Sequence, residues 1–192
     1  MIQKIAIYWG AFDPPQLAHE TIIKEAIHKL WLNKLYIVPS WPHAFKEFKT
    51  STENRKKIME IFVDSIDSDK VELCDVFLDG KIKNTTLETD RYFKEKLWFS
   101  PYQIFGSDLI DSMWLWDPSG EVAMRLPKII VKRPWFEINV LKIANFIIFD
   151  PFADANISEL SSTQVRENIK KNIFTWMNPA LALYIRENWI YL

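Results

Sequence analysis

The residue types best suited to chemistry follow the first apolar run of the chain, at residues 9–19 (WGAFDPPQLAH). A flexible turn that leads into a helix N-terminus is an anion site, because the free N–H groups and the helix dipole both favour phosphate. His19 would lie in the first helical turn, where it can donate a hydrogen bond to that phosphate. A lone histidine near a helix start is usually an ordinary polar residue, so this turn indicates phosphate binding only when other motifs support it.

A second candidate is the sequence SSTQVR near the C-terminus. Its first serine, Ser161, has capping-box spacing to Gln164, which predicts a helix that begins here. That structural interpretation leaves Arg166 unexplained, because the helix dipole disfavours a cation in the first turns. A bound polyphosphate would account for it, with the hydroxyl and N–H groups of Ser162 and Thr163 holding the same anion.

These segments resemble motifs of a known enzyme group. Residues 9–19 are similar to the nucleotidyltransferase signature GG-T/S-FDP-x-H-x-GH, and the matching residues are Gly10, Phe12, Asp13, Pro14 and His19. Three later segments resemble the nicotinate-nucleotide adenylyltransferase family, in the same order. They are residues 39–43 (PSWPH) followed by Lys46, Arg55 and Met59, then Gly106-Ser107-Asp108, and finally SSTQVR, which is similar to ISSTxxR. The resemblance covers nearly the whole chain.

The resemblance implies an adenylyltransferase that transfers AMP from ATP to nicotinate mononucleotide and releases pyrophosphate, a step of NAD biosynthesis. The reaction would be a direct displacement, with alignment and charge neutralisation as the source of the rate. His19 and Gln16 would be the catalytic residues, since both can donate to the transferring phosphoryl group. Mg²⁺ would arrive with ATP, because it usually binds through substrate phosphates and the sequence has no cysteine or histidine cluster spaced for zinc.

The resemblance also assigns binding residues. Those expected to contact ATP are Gly10, Ala11, Phe12, Asp13, His19, Lys46, Gly106, Asp108, Ser162, Thr163 and Arg166. Those expected to contact the pyridine mononucleotide are Thr86, Trp116 and Arg133. In the family, the tryptophan at the place of Trp116 stacks on the pyridine ring.

Two departures from the family signature leave alternatives open. Gln16 replaces the first signature histidine and cannot be cationic, and Trp9 replaces the first glycine, whose space an indole would fill. One alternative is a nucleotide-binding protein of the same fold without turnover, and another is a nucleotidyltransferase that acts on a different small phosphate. The choice between nicotinate and nicotinamide mononucleotide also stays open, because the loop after Asp79 keeps mainly Thr86 and Leu87 of the family pattern.

The chain has 4 glycines and 9 tryptophans, whereas average usage would give about 13 glycines. Several tryptophans stand where glycine is expected, in the phosphate turn, after predicted helices or in tight turns, namely Trp9, Trp31, Trp41, Trp135 and Trp189. Trp98 and Trp176 lie in predicted loops and are weaker cases. We hypothesise that the gene uses UGA for glycine and that these codons have been translated as tryptophan. UGG codons at the five positions would contradict the hypothesis.

The elements that must position these residues alternate between strands and helices. Five nearly continuous apolar runs predict buried parallel strands, at residues 5–8, 35–38, 104–105, 129–131 and 146–149. Helices are predicted between the first two runs, from near Ser51, and from Asn178, where a proline follows the cap. The alternation predicts one α/β domain over residues 1–192, a Rossmann-like doubly wound parallel sheet with helices on both faces and the site at the carboxyl ends of its strands.

Composition and charge narrow the functional class. Lysine and arginine number 24 against 25 aspartates and glutamates, which leaves no basic footprint for nucleic-acid binding. Cys74 is the single cysteine, which points to a reducing compartment, and no apolar run approaches the ~18 residues of a membrane span. We therefore expect a cytoplasmic protein whose partners are ATP and a pyridine mononucleotide, without nucleic-acid or membrane partners. The sequence does not indicate an oligomeric state.

Overall fold

The computed structural model describes residues 3–40, 49–83, 85–115, 120–138, 144–152 and 155–192. Within these ranges the chain forms a six-stranded sheet. Its strands are β1 (Ile5–Gly10), β2 (Lys34–Pro39), β3 (Val71–Leu73), β4 (Tyr102–Gly106), β5 (Lys128–Val131) and β6 (Phe146–Phe149). Five of them are the strands that the apolar runs predict. The sequence did not reveal β3, because it has only three residues and a glutamate at its centre.

The strand order is β3-β2-β1-β4-β5-β6, and every neighbouring pair is parallel. The chain moves outward from β1 to β3 and then returns to the other side of β1 with β4. Loops that follow β1 and β4 therefore diverge, and open sheets of this type bind ligands in the resulting crevice. The predicted Rossmann-like doubly wound sheet is confirmed.

Helices connect the strands and complete the chain. They are α1 (Leu17–Lys29), α2 (Thr52–Asp64), α3 (Thr86–Leu97), α4 (Gly120–Arg125), α5 (Ala155–Ser158), α6 (Ser162–Lys170) and α7 (Pro179–Glu187), with a 3-10 helix at Ser107–Leu115. The two predicted caps are confirmed, since Ser161 and Gln164 form a capping box on α6 and Asn178 caps α7. The helix predicted to begin near Ser51 is α2, and Ser51 is its N-cap. The longest helices, α1 and α2, have 13 residues each. No helix in the described ranges has the length and hydrophobicity that a bilayer crossing requires.

The core lies on both faces of the sheet, which explains why the strands are apolar throughout. On one face, Ala6 and Tyr8 of β1 pack in a cluster with buried residues of α1 and α2. On the other face, Ile5 and Ile7 share a cluster with Phe93 of α3. A further apolar cluster joins α6 and α7 to α1 and α2. This packing brings the N-terminus of α6 to the turn between β1 and α1.

Candidate active site

The carboxyl ends of β1 and β4 lie side by side where the strand order reverses, and they end in Gly10 and Gly106. A Cβ atom at position 106 would overlap Oδ1 of Asp108, and a Cβ at position 10 would lie 3.2 Å from the ring of Phe12. Neither strand end has ready space for a larger side chain. Both strands therefore end in bare main chain, which a nucleotide can approach closely.

His19 lies in the first turn of α1, and the preceding turn fixes its orientation. Its Nδ1 accepts a hydrogen bond of 3.1 Å from the backbone N–H of Gln16. Its ring packs at a steep angle to the rings of Tyr8 and Phe12. Because Nδ1 is an acceptor, the neutral ring carries its proton on Nε2. His19 thus has the tautomer in which Nε2–H is the donor, as a hydrogen bond to a phosphoryl oxygen requires.

The side chain of Gln16 faces the protein interior and caps α1. Its Oε1 accepts a hydrogen bond from the backbone N–H of Ala18, and its Nε2 donates to the carbonyl of Leu160 at 3.2 Å. The residue is only 2% exposed. The predicted donation from Gln16 to a phosphoryl group would require the contact with Leu160 to be exchanged, so this catalytic role stays a prediction that the observed conformation does not provide.

The N-terminus of α6 is docked on the turn between β1 and α1. Ser162 Oγ donates to the carbonyl of Pro14 at 2.9 Å, and the Arg166 guanidinium donates to the carbonyl of Asp13. Arg166 also donates to the hydroxyl of Thr163 at 3.1 Å. The two motifs that the sequence places at opposite ends of the chain therefore form one cluster, in which a cation and two hydroxyl groups lie at the turn that precedes His19.

Asp13 is the buried centre of this cluster. It is 1% exposed, and its carboxylate accepts hydrogen bonds from the Tyr191 hydroxyl at 2.6 Å and from the backbone N–H of Lys49 at 3.3 Å. Arg166 lies 3.6 Å from the same carboxylate. Burial and the negative charge of Asp13 raise the pKa of Tyr191. Asp13 therefore holds the turn, α6 and the C-terminus together. No motif in the sequence pointed to Tyr191.

Arg55 holds the ends of β1 and β2 in place from α2. Its guanidinium donates to the carbonyl oxygens of Ala11 and Ser40, at 3.1 and 2.6 Å. Burial lowers the pKa of Arg55 to about 10, so the side chain stays protonated at neutral pH. Arg55 belongs to the segment that resembles the family, and its observed contacts are with the protein main chain.

A second group of predicted residues lies beyond the end of β4. The backbone N–H of Arg133 donates to Ser107 Oγ at 2.9 Å, its Nη1 donates to the carbonyl of Ser158 at 2.7 Å, and its Nε lies 4.0 Å from Asp108. Burial raises the pKa of Tyr8, with smaller opposing contributions from the charges of Arg133 and Asp108. Because Tyr8 also contacts His19, it lies between this group and the cluster at α6.

Trp9 and Thr86 meet in the crevice between the two strand ends. The indole of Trp9 packs against the ring of Phe105, with ring centres 6.4 Å apart. Trp9, Thr86 and Gln103 line a cavity of about 10 Å³, which has room for no more than one water molecule. Thr86 itself is the buried first residue of α3. Trp9 therefore occupies space beside a residue predicted to contact the pyridine mononucleotide.

Other predicted residues lie outside the described ranges. They are Lys46 and Trp116, together with Trp41 of the glycine hypothesis. Within the described ranges, no group of three or more histidine, cysteine, aspartate or glutamate side chains is arranged to hold a metal ion.

Comparisons with known proteins agree with this geometry. A family model described as cytidylyltransferase-like matches residues 7–168. The nicotinate-nucleotide adenylyltransferase of Bacillus subtilis (strain 168) is 28% identical over 197 residues, which cover 99% of each chain. A protein of Aliarcobacter butzleri (strain RM4018) named "Probable nicotinate-nucleotide adenylyltransferase" is 31% identical over 173 residues, which cover 86% of this chain and 87% of the relative.

The fold is also similar to a solved structure of Plasmodium falciparum nicotinic acid mononucleotide adenylyltransferase complexed with NaAD. The TM-score is 0.84 at 24% identity, with 99% of this chain and 98% of the other covered. The match to the family model covers most of the chain, and the Aliarcobacter relative is similar over most of its own length. The chain therefore belongs to the cytidylyltransferase-like family and, within it, to the nicotinate-nucleotide adenylyltransferases.

Proposed function

We propose that this enzyme transfers AMP from ATP to nicotinate mononucleotide and releases pyrophosphate, in NAD biosynthesis. The observation that carries the proposal is the docking of α6 on the turn between β1 and α1. It places Arg166, Ser162 and Thr163 at the turn that leads to His19, which presents Nε2–H. Such a set of donors suits a polyphosphate that is bound at the switch point of the sheet.

The chemistry is a single displacement. A phosphate oxygen of the mononucleotide attacks the α-phosphorus of ATP and forms a new P–O bond. The bond from that phosphorus to the bridging oxygen breaks, and its electron pair leaves with pyrophosphate. ATP would enter as its Mg²⁺ complex, and the ion would offset the negative charge of the phosphate groups. The protein contributes alignment and charge neutralisation, and no covalent enzyme intermediate is needed.

Several of the predicted residues have a place in this scheme, whereas Gln16, Phe12 and Asp13 are buried and support the turn. His19 Nε2–H donates to a non-bridging oxygen of the transferring group, where negative charge accumulates. Arg166 and the hydroxyls of α6, with Lys46, hold the triphosphate. Asp108 accepts a hydrogen bond from the adenosine ribose, and Gly106 leaves room for the nucleoside. Thr86, Trp116 and Arg133 bind the pyridine mononucleotide.

The test is pyrophosphate release from Mg-ATP with nicotinate mononucleotide, with nicotinamide mononucleotide and without either. We expect release that depends on the mononucleotide and is faster with the nicotinate form, as the names of the relatives suggest. His19→Ala removes one preorganised donor and should lower kcat about 10²–10³-fold with little change in KM for ATP. His28→Ala is the matched control, since His28 lies exposed on the same helix. Equal rates for the two variants would contradict the role of His19.

The second candidate function is nucleotide binding without turnover. Two observations favour it: Gln16 is used as a helix cap, and Trp9 leaves only a cavity of about 10 Å³ beside Thr86. Titration calorimetry with ATP and with each mononucleotide separates the two candidates. Binding of both ligands without pyrophosphate release would support the binding protein, and release would exclude it.

We also propose a cytosolic location. Cys74 is a free, buried thiol, and burial raises its pKa. A protonated, buried thiol of this kind is unreactive and is typical of a protein in a reducing compartment.

A further inference from the structure

Among the tryptophans in the described ranges, four have a left-handed backbone. Their φ angles are 53° at Trp31, 66° at Trp98, 68° at Trp135 and 55° at Trp189. Glycine adopts this conformation freely, whereas a Cβ atom disfavours it and a bulky side chain is a clear outlier there. Asparagine and aspartate tolerate it best among the other residues, and Asp67, Asn145 and Asn172 are such cases in this chain. Phe12 and Tyr191 also have positive φ, but both are buried in the core, unlike the four tryptophans. Tryptophan has no comparable reason to recur at these places.

Three of the four tryptophans end helices in the way that glycine does. Trp98 caps α3 with a left-handed residue, and its N–H donates to the carbonyl of Lys94. Trp31 directly follows the C-cap residue of α1, and Trp189 directly follows that of α7. A left-handed residue at or just after the C-cap is the position that glycine favours most strongly in helical proteins. Trp98, which the sequence made a weak case, thus has the same geometry as the stronger ones.

The fourth tryptophan lies in a tight turn after β5. The N–H of Phe136 donates to the carbonyl of Arg133 at 3.5 Å across Pro134 and Trp135. Proline at the second place and a positive φ at the third are the pattern of a type II turn, whose third residue is normally glycine. The backbone of this turn therefore also requires glycine at the place of Trp135.

The indoles at these four positions do not compensate for the strained backbone by packing. Their exposed fractions are 82% at Trp31, 91% at Trp98, 93% at Trp135 and 79% at Trp189. The indole N–H of Trp135 donates to the carboxylate of exposed Glu159 at 3.4 Å. By contrast, Trp176 is half-buried against the cluster of α6 and α7, and it is not among the residues with positive φ.

We propose that glycine occupies positions 31, 98, 135 and 189 of the functional protein, encoded by UGA codons that its organism translates as glycine. This inference explains the backbone conformation, the exposure, the scarcity of glycine and the excess of tryptophan together.

The same codon at position 9 has a consequence for the active site. The indole of Trp9 lies against Phe105 beside Thr86, between the carboxyl ends of β1 and β4. Glycine there removes the indole and opens the crevice to a substrate. This part of the inference rests on the proposed function, because it takes the crevice to be the mononucleotide site.

The codons and the native protein test the inference directly. We expect UGA at positions 9, 31, 98, 135 and 189 and UGG at position 176. Mass spectrometry of the native protein should find peptides 30–34 and 187–192 lighter by the difference between an indole side chain and a hydrogen. UGG codons at the left-handed positions, or peptides with the mass of tryptophan, would overturn the proposal.

Stability measurements test the backbone argument on recombinant protein. Trp→Gly substitution at each left-handed position relieves strain but adds freedom to the unfolded chain, so we expect the equilibrium constant for unfolding to fall about threefold per site. The four sites are distant, so the combined variant should show about a hundredfold fall. Trp176→Gly is the matched control and should raise the constant, because it removes packing. A rise at the four sites as well would contradict the argument.

Activity measurements test position 9 separately. In the combined variant, Trp9→Gly should raise kcat/KM for the mononucleotide at least about tenfold, because the crevice becomes accessible. An active enzyme that gains nothing from Trp9→Gly would refute the inference for this position. Stabilisation at the four sites in an enzyme that never releases pyrophosphate would refute the proposed function and leave the glycine inference in place.

Discussion

The hydrogen bond from Tyr191 to Asp13 gives a sharp test of how the fold holds the turn between β1 and α1. Tyr191→Phe removes the hydroxyl that donates at 2.6 Å to the buried carboxylate and keeps the ring. A hydrogen bond to a charged group contributes about 1.5–3 kcal/mol, and Asp13 retains Arg166 and the N–H of Lys49. We therefore expect a loss of about 2 kcal/mol in the free energy of unfolding at pH 7, or roughly thirtyfold in the equilibrium constant.

The effect of this substitution should also depend on pH. Burial and the Asp13 carboxylate raise the pKa of Tyr191, whereas a tyrosine in the unfolded chain loses its proton near pH 10. Above about pH 10 the folded state then binds more protons, so the contribution of Tyr191 to stability falls by about 1.4 kcal/mol per pH unit. Two other groups also affect stability at alkaline pH, since burial raises the pKa of Tyr8 and lowers that of Arg55 to about 10. Both residues are present in the wild type and in the Tyr191→Phe variant. The difference in the free energy of unfolding between wild type and variant should therefore become smaller above pH 10.

Urea unfolding followed by circular dichroism, at pH 7 and again between pH 10 and 11, measures both effects. Tyr184→Phe is the matched control, because the Tyr184 hydroxyl makes a longer, 3.4 Å contact with Asn54 in a partly exposed place. We expect that control to lose less than about 0.5 kcal/mol. If Tyr191→Phe loses no more than the control, or if its deficit is the same at both pH values, Asp13 is not held in the way described.

Two further predictions concern buried groups. Lys128 is fully buried in β5, and burial lowers its pKa from 10.5 to about 8. At pH 7 the buried charge therefore lowers the free energy of unfolding. This penalty disappears as the pH rises from 8 to 10.5, because the folded protein loses the proton before the unfolded chain does. Lys128→Met should raise the free energy of unfolding by about 2 kcal/mol at pH 7 and lose that advantage near pH 10.5, and urea unfolding without a gain at pH 7 would contradict this. Gly106→Ala should raise KM for ATP about tenfold in initial-rate measurements, because the new Cβ displaces Asp108. An unchanged KM would exclude Asp108 as a nucleotide contact.

The sequence predicted those parts of the molecule that depend on interactions between residues close together in the chain. Apolar runs revealed five strands because both faces of the sheet are covered, and the caps at Ser161 and Asn178 follow from side chains that bond to their own helix. Contacts between distant segments had no such signal. Tyr191 and Asp13 are 178 positions apart in the sequence, and the residues around each of them do not predict the contact. Gln16 shows the same limit. Its place in the signature suggested a catalytic role, and the sequence did not indicate that its side chain caps α1.

The arrangement of the site explains how the signature turn can be rigid although it has a single glycine. The carboxylate of Asp13 contacts Arg166 of α6 and accepts hydrogen bonds from the Tyr191 hydroxyl and from the backbone N–H of Lys49. Arg55 fixes the carbonyl groups that follow β1 and β2. The turn is therefore fixed by buried polar contacts. The expectation of free N–H groups at the start of α1 is not met, because those of Gln16, Leu17, Ala18 and His19 already donate within the protein. Trp9 lies in β1 just before this turn and is paired there with β2, so its side chain cannot be moved aside by flexing the backbone. The identity of that one residue therefore decides whether the space beside Thr86 is open.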